Sequence, residues 1–214
     1  MPEVKASIIN NFNTEFKQPE DFSVEGKGES IRVIRALDGE IITEQITVPA
    51  TIENGRIVSD KDQDILKIAV VNRYENAPPA VAYINGFGLK EGAIASCVGH
   101  DSHNIIAVGV DDQAICKAIN LIIENKGGIS AVDQSGKAEV LPLPVAGIMT
   151  NADAYEVAKA YELVDQFAKA HLGTGLGAPF MTLSFMALLV IPELKLSDKG
   201  LFDGKAFQFV SLIE

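Results

Sequence analysis

Residues 65–71 (Ile65-Leu66-Lys67-Ile68-Ala69-Val70-Val71) form a continuous apolar run broken only by Lys67. An apolar stretch this short and unbroken suggests a strand buried on both faces. Residues 81–87, 93–98 and 105–110 read as further strands. Residues 76–79, with Pro78 and Pro79, form a loop.

Ahead of this run, the pattern from Ile31 is strand-like. Asp38-Gly39 is a hairpin turn signal, and 40–48 reads as the return strand. Residues 51–58 repeat the idea around Asn54-Gly55. Residues 1–30 are polar and end in Glu25-Gly26-Lys27-Gly28-Glu29, a flexible connector. After residue 110 a helix is predicted, capped by Asp111 or Asp112, with Ile115, Ala118, Ile119 and Ile122 at helical spacing. Gly127-Gly128 stops it. Strands at 129–132 and 137–141 flank the turn Gln134-Ser135-Gly136. A second helix is expected over 153–170, with Val157, Tyr161, Val164 and Ala168 as its buried stripe and Gly173 as its stop. The apolar run 180–191 reads as core, being too short to cross a bilayer. The expected fold is α/β, of the α+β type. A small N-terminal antiparallel β segment (1–60) precedes a mixed sheet packed with helices (61–214).

Composition narrows the function. The net charge of −11 disfavours nucleic acid and anionic membranes, since no run of Lys and Arg offsets it. The two cysteines, Cys97 and Cys116, sit in no CxxC pair and suit free buried thiols in a reducing cytoplasm. Met1-Pro2-Glu3-Val4-Lys5 has no apolar signal region. A cytoplasmic location is the expectation.

One segment bears chemistry. His100-Asp101-Ser102-His103-Asn104 holds two of the three histidines in the chain and joins two expected strands. Imidazole can move protons near neutral pH or bind metal. His100, Asp101, Ser102 and His103 are therefore candidate catalytic groups. Asn104, Ser96 and Arg73 are candidate substrate contacts, although solvation at a strand end is the default for Arg73. The competing reading is turn chemistry, because Asp, Ser and Asn all favour tight turns. A metal site is incomplete here. His100 and His103 with Asp101 or Cys97 would supply three ligands, but no H-x-H, HExxH or zinc-deaminase signature is present. Gly173-Thr174-Gly175-Leu176-Gly177 lacks the Lys-Ser/Thr of a phosphate loop. His171 suits a helix-dipole partner.

Several segments resemble, in order, the C-terminal domain of bacterial adenine deaminases. They include Pro19-Glu20-Asp21-Phe22, Gly39-Glu40-Ile41-Ile42-Thr43, the run Asp64-Ile65-Leu66-Lys67-Ile68-Ala69-Val70-Val71, and Gly86-Phe87-Gly88-Leu89. Gly92-Ala93-Ile94-Ala95-Ser96, the 100–106 segment, Leu141-Pro142-Leu143-Pro144, Pro179-Phe180-Met181-Thr182-Leu183-Ser184-Phe185 and Val190-Ile191-Pro192-Glu193-Leu194-Lys195-Leu196 continue it. The resemblance runs from about residue 12 to the end of the chain. It departs at Cys97 and Gly99, where Ser and Ala would be expected.

The resemblance implies a part in hydrolysing adenine to hypoxanthine and ammonia, in adenine catabolism and purine salvage. It also implies an upstream amidohydrolase barrel that binds a pair of divalent metals (manganese, iron or zinc). Such a barrel takes about 250 residues, more than this chain contains. None of the barrel's catalytic residues carries over, so the chain alone is expected to be inactive, with no metal ligands of its own. The 100–104 segment would face the mouth of the barrel. Expected partners are that barrel, adenine and further copies of the chain, because a domain parted from its covalent partner should expose an apolar docking face and self-associate. The alternative is a stand-alone purine-binding or subunit-interaction module without catalysis.

Overall fold

The computed structural model describes residues 9–214 except Lys27 and Glu29. The expectation about residues 1–5, and that part of the 25–29 connector, lie outside the described residues. In chain order the strands are β1 Val24–Glu25, β2 Ser30–Ala36, β3 Thr43–Pro49, β4 Ile52–Glu53, β5 Arg56–Ile57, β6 Leu66–Val71, β7 Ala80–Asn85, β8 Ala93–Ser96 and β9 Ile105–Gly109. Helix α1 Asp112–Glu124 follows, then β10 Gly128–Val132, β11 Ala138–Pro142, α2 Ala154–Ala170 and α3 Pro179–Ser184. The last strands are β12 Leu194–Ser197, β13 Gly200–Asp203 and β14 Gln208–Phe209. A 3₁₀ turn spans Pro19–Phe22.

Eight strands form one sheet in the order β11-β10-β8-β9-β6-β7-β2-β3. Its pairings are antiparallel except β2 with β7, which is parallel. β6 lies inside this sheet with every residue buried, as its apolar run requires. The first quarter divides between two sheets. β1, β5 and β4 make a small antiparallel sheet, whereas the β2–β3 hairpin is the edge of the large one. The mixed α/β class holds. Part of the expected connector is ordered, because Val24 and Glu25 pair with Ile57 and Arg56.

The period-2 alternation of the strands sends side chains to two faces. On one face Ile34, Ile68, Ile94 and Val108 meet Phe167 of α2 and Leu183 of α3. On the other, Ala69, Ala95 and Ala107 meet Ile115, Ile119 and Ile122 of α1, and Val33 and Tyr83 meet Ile57 of the small sheet. Helix α1 begins as its cap predicts, with Asp111 Oδ1 accepting from the Ala114 N–H at 2.7 Å. Lys67, the one polar residue of the run, points to the α1 face. Its ammonium donates to the Phe22 carbonyl at 3.0 Å and pairs with Asp112.

Helix α2 corrects one expectation. Val164 and Ala168 are buried, joined by Phe167, but Tyr161 is exposed and Val157 only half-buried. In the first half of α2, Val157 and Ala160 pack part-buried against the core and the other side chains are exposed among the described residues. Among the described residues, no helix is long and apolar enough to cross a membrane.

Candidate functional site

The histidine segment is the turn between β8 and β9, and residues distant in sequence hold it. The His100 N–H donates to the Ser184 carbonyl at 2.9 Å, satisfying a carbonyl that the end of α3 leaves open. The His103 N–H donates to the Gly99 carbonyl at 2.8 Å. His103 has a left-handed backbone, φ 53°, which histidine tolerates better than bulkier residues. The Gly99 N–H points back at Nδ1 of His103 at 3.3 Å. Only an unprotonated Nδ1 can accept there, which leaves the proton on Nε2.

The imidazole of His103 is held below its ordinary pKa, first by burial and then by the nearby His100 and Arg73, with Asp101 opposing. The two histidine rings meet edge to face with centroids 5.8 Å apart. The His100 ring also stacks on Phe185 at 4.9 Å. Asp101 and Ser102 point to solvent.

A second strand end clamps the segment from beneath. The Arg73 backbone N–H donates to Asn104 Oδ1 at 3.2 Å, and both residues are buried. The Tyr74 hydroxyl donates to the Ser102 carbonyl at 2.6 Å and accepts from Nη2 of Arg73 at 3.0 Å. Nη1 of Arg73 donates to the Ala146 carbonyl at 2.7 Å. Nε has no partner among the described residues. The solvated Arg73 expected from sequence is thus corrected to a buried one, held by a carbonyl and the adjoining tyrosine. Gly147, φ 79°, must be small here, because a Cβ would come 1.9 Å from that guanidinium.

Ser96 is buried too. Its Oγ donates to the Val98 carbonyl at 3.3 Å and accepts from the Val98 N–H at 3.0 Å. Beside it opens a pocket of about 150 Å³, lined by Ser96, His100, Tyr161, Phe180, Met181 and Ser184 among others. Of the sequence candidates, His100 and Ser96 meet at this pocket. Asp101, Ser102 and His103 form the outer turn, and Arg73 and Asn104 support it. Sequence reasoning missed Tyr74, Phe185 and the carbonyls of Ser184 and Ala146. Phe185 lay inside a family-like segment, and Tyr74 was marked only by following Arg73.

The segment does not fit a metal. Among the described residues, no three His, Cys, Asp or Glu side chains gather so as to hold an ion. Nδ1 of His103 is already engaged. Sγ of Cys97 donates to the Gly147 carbonyl at 2.6 Å and accepts from the Gly128 N–H at 3.2 Å. Burial pushes its thiol up to about 11, away from the thiolate that metals need. Cys97 therefore serves packing. At the other departure, a Cβ on Gly99 would come 2.5 Å from Cδ1 of Ile106, so an alanine there needs that flexible side chain to shift. His171 ends α2 with its ring 4.8 Å from Phe167, far along the chain from the turn.

These features define a mixed-sheet domain that presents a histidine turn beside an apolar pocket. The profile of the adenine deaminase C-terminal domain matches residues 40–208, and the chain belongs to that family. It is 55% identical over 207 residues to an adenine deaminase of Sulfurovum sp., covering 97% of this chain and 37% of that protein. The adenine deaminase of Salinibacter ruber is 49% identical, with 97% and 38% covered. That of Methanosarcina acetivorans is 54% identical over 182 residues, with 85% and 32% covered. The chain thus spans less than two fifths of the length of these curated relatives.

Proposed function

We propose that this chain acts as the C-terminal domain of an adenine deaminase, helping to hydrolyse adenine to hypoxanthine and ammonia in cytoplasmic purine salvage. The observation that carries this reading is the histidine turn, held by Tyr74, Asn104 and Ser184 with His100 opening onto a pocket. Divalent metal, manganese, iron or zinc, belongs in this reading to an upstream barrel, and this chain's own residues take no part in holding it. His100, Asp101, Ser102 and His103 are the side chains offered to the mouth of that barrel, where they orient the purine or exclude water. Ser96, proposed from sequence as a substrate contact, acts from beneath the pocket, where its hydroxyl holds the Val98 backbone. Arg73 and Asn104, proposed from sequence as substrate contacts, act on substrate through the turn they support.

The test is ammonia release from adenine. The 214-residue chain supplied with Mn²⁺, Fe²⁺ or Zn²⁺ is expected to release none. A Sulfurovum adenine deaminase whose C-terminal portion is replaced by this chain is expected to be active. Changing both His100 and His103 to Ala in that chimera should lower kcat/KM by about a hundredfold or more, the lower end for a lost acid–base group. Metal-dependent release by the chain alone, abolished by the same double change, would place the whole site here and sink the reading.

A further inference from the structure

We propose that the crest of α3, with Met181 at its top and a pocket on either side, is the seat of the polypeptide that precedes this domain in its relatives. The proposal rests on the reading above and assigns it a surface. Met181, 55% exposed, lines both the 150 Å³ pocket and a neighbouring one of about 270 Å³. Exposed Tyr161 stands at the first pocket and exposed Ile41 at the second. His100 lines the first, Phe185 the second, and the two rings stack. His100 of the histidine turn therefore lies in the floor of this face.

A lone exposed apolar side chain means little. Three of them around two pockets are different. A cavity of about 150 Å³ holds one benzene-sized group, the size of an interface anchor. The rim adds chemistry. Asp38 and Glu40 border the second pocket, and among the described residues neither carboxylate is in an ion pair. The occupant thus brings an apolar side chain to the first pocket and a basic group to the second. The occupant follows from the length outside the chain. This domain is C-terminal in its family and covers 37–38% of two relatives, so more than half of each lies elsewhere, ahead of it.

Thiol labelling tests this. Cys97 and Cys116 are buried, so a Met181→Cys variant gives a readable new thiol, followed at its peptide by mass. Its maleimide labelling would be compared in the chain alone and in the Sulfurovum chimera. Arg56→Cys, on the small sheet against the opposite face, is the control. The expected result is at least tenfold slower labelling at 181 in the chimera, with position 56 unchanged. Equal labelling at 181 in a chimera that deaminates adenine overturns the docking proposal and leaves the function standing. Protection at 181 in an assembled but inactive chimera supports docking and counts against the function. Protection that grows with concentration in the chimera as well as in the chain alone gives the face to a second copy, and protection of the chain alone on adding adenine gives it to a base; either overturns the proposal. Should the chimera not assemble, a cysteine at the matching position of the relative's own enzyme decides, by the same rates.

Discussion

The helices that cover the two faces of the large sheet are themselves buried to different degrees. On one, α1 buries seven of its thirteen residues. On the other, α2 buries three of its seventeen, and Tyr155 and Leu163 stand in solvent. Both helices have an aspartate N-cap that accepts from the backbone of the first turn, so local signals do not separate them. What separates them is how much of each helix the rest of the described residues encloses. The histidine turn lies on the α3 side, through His100, Ser184 and Phe185.

Removing buried apolar volume from α1 should cost most. Ile119→Ala in α1 removes a fully buried side chain and should destabilise by about 2–5 kcal/mol. Met181→Ala on the other face should stay within about 0.5 kcal/mol. Urea midpoints would show this, and equal losses would dissolve the contrast. Next comes Asp112→Ala. It leaves the ammonium of Lys67, almost wholly buried, with only the Phe22 carbonyl, and should cost about 3 kcal/mol by the same measurement.

Tyr74→Phe should cost about 1 kcal/mol, by removing the bond to the Ser102 carbonyl and the acceptor for Arg73. Its sharper signature is a changed environment for the ring protons of His103 in NMR spectra. A silent His103 would show that the clamp does not hold the turn.

The smallest effect concerns pH. An unperturbed histidine titrates near 6.5, and in the folded chain His103 lies below that. The unfolded chain therefore takes up a proton here before the folded one does. The contribution of His103 to stability is full above about 6.5 and is lost as pH falls from there through the lower folded value. His103→Gln should flatten that part of the pH–stability curve, and an NMR titration midpoint at or above 6.5 would refute the shift.

Much of the fold was legible from residues alone. The 65–71 run became the interior strand β6, Asn54-Gly55 turns β4 into β5, and Asp111 caps α1. These features depend on neighbours in sequence, through period, turn preference and capping. The 100–104 segment was legible as well, because two histidines in a histidine-poor chain stand out. Other features were not legible. Nothing in the composition of the first quarter says that β2 would join β7 in parallel. The stripe on α2 is present in sequence, but periodicity cannot reveal whether anything covers it.

The sequence by itself determined the order and type of most elements, the histidine turn and the family, because each is written in residues close together or in blocks along the chain. Only the tertiary structure decided what surrounds the turn. Arg73 is buried against the Ala146 carbonyl, 73 positions away. Tyr74 reaches Ser102, 28 positions away, and the end of α3 holds His100. Hydrogen bonds across such separations leave no period or motif. They exist only once burial has brought the strand ends together, and burial also decides that α1 is enclosed while the outer side of α2 stays exposed.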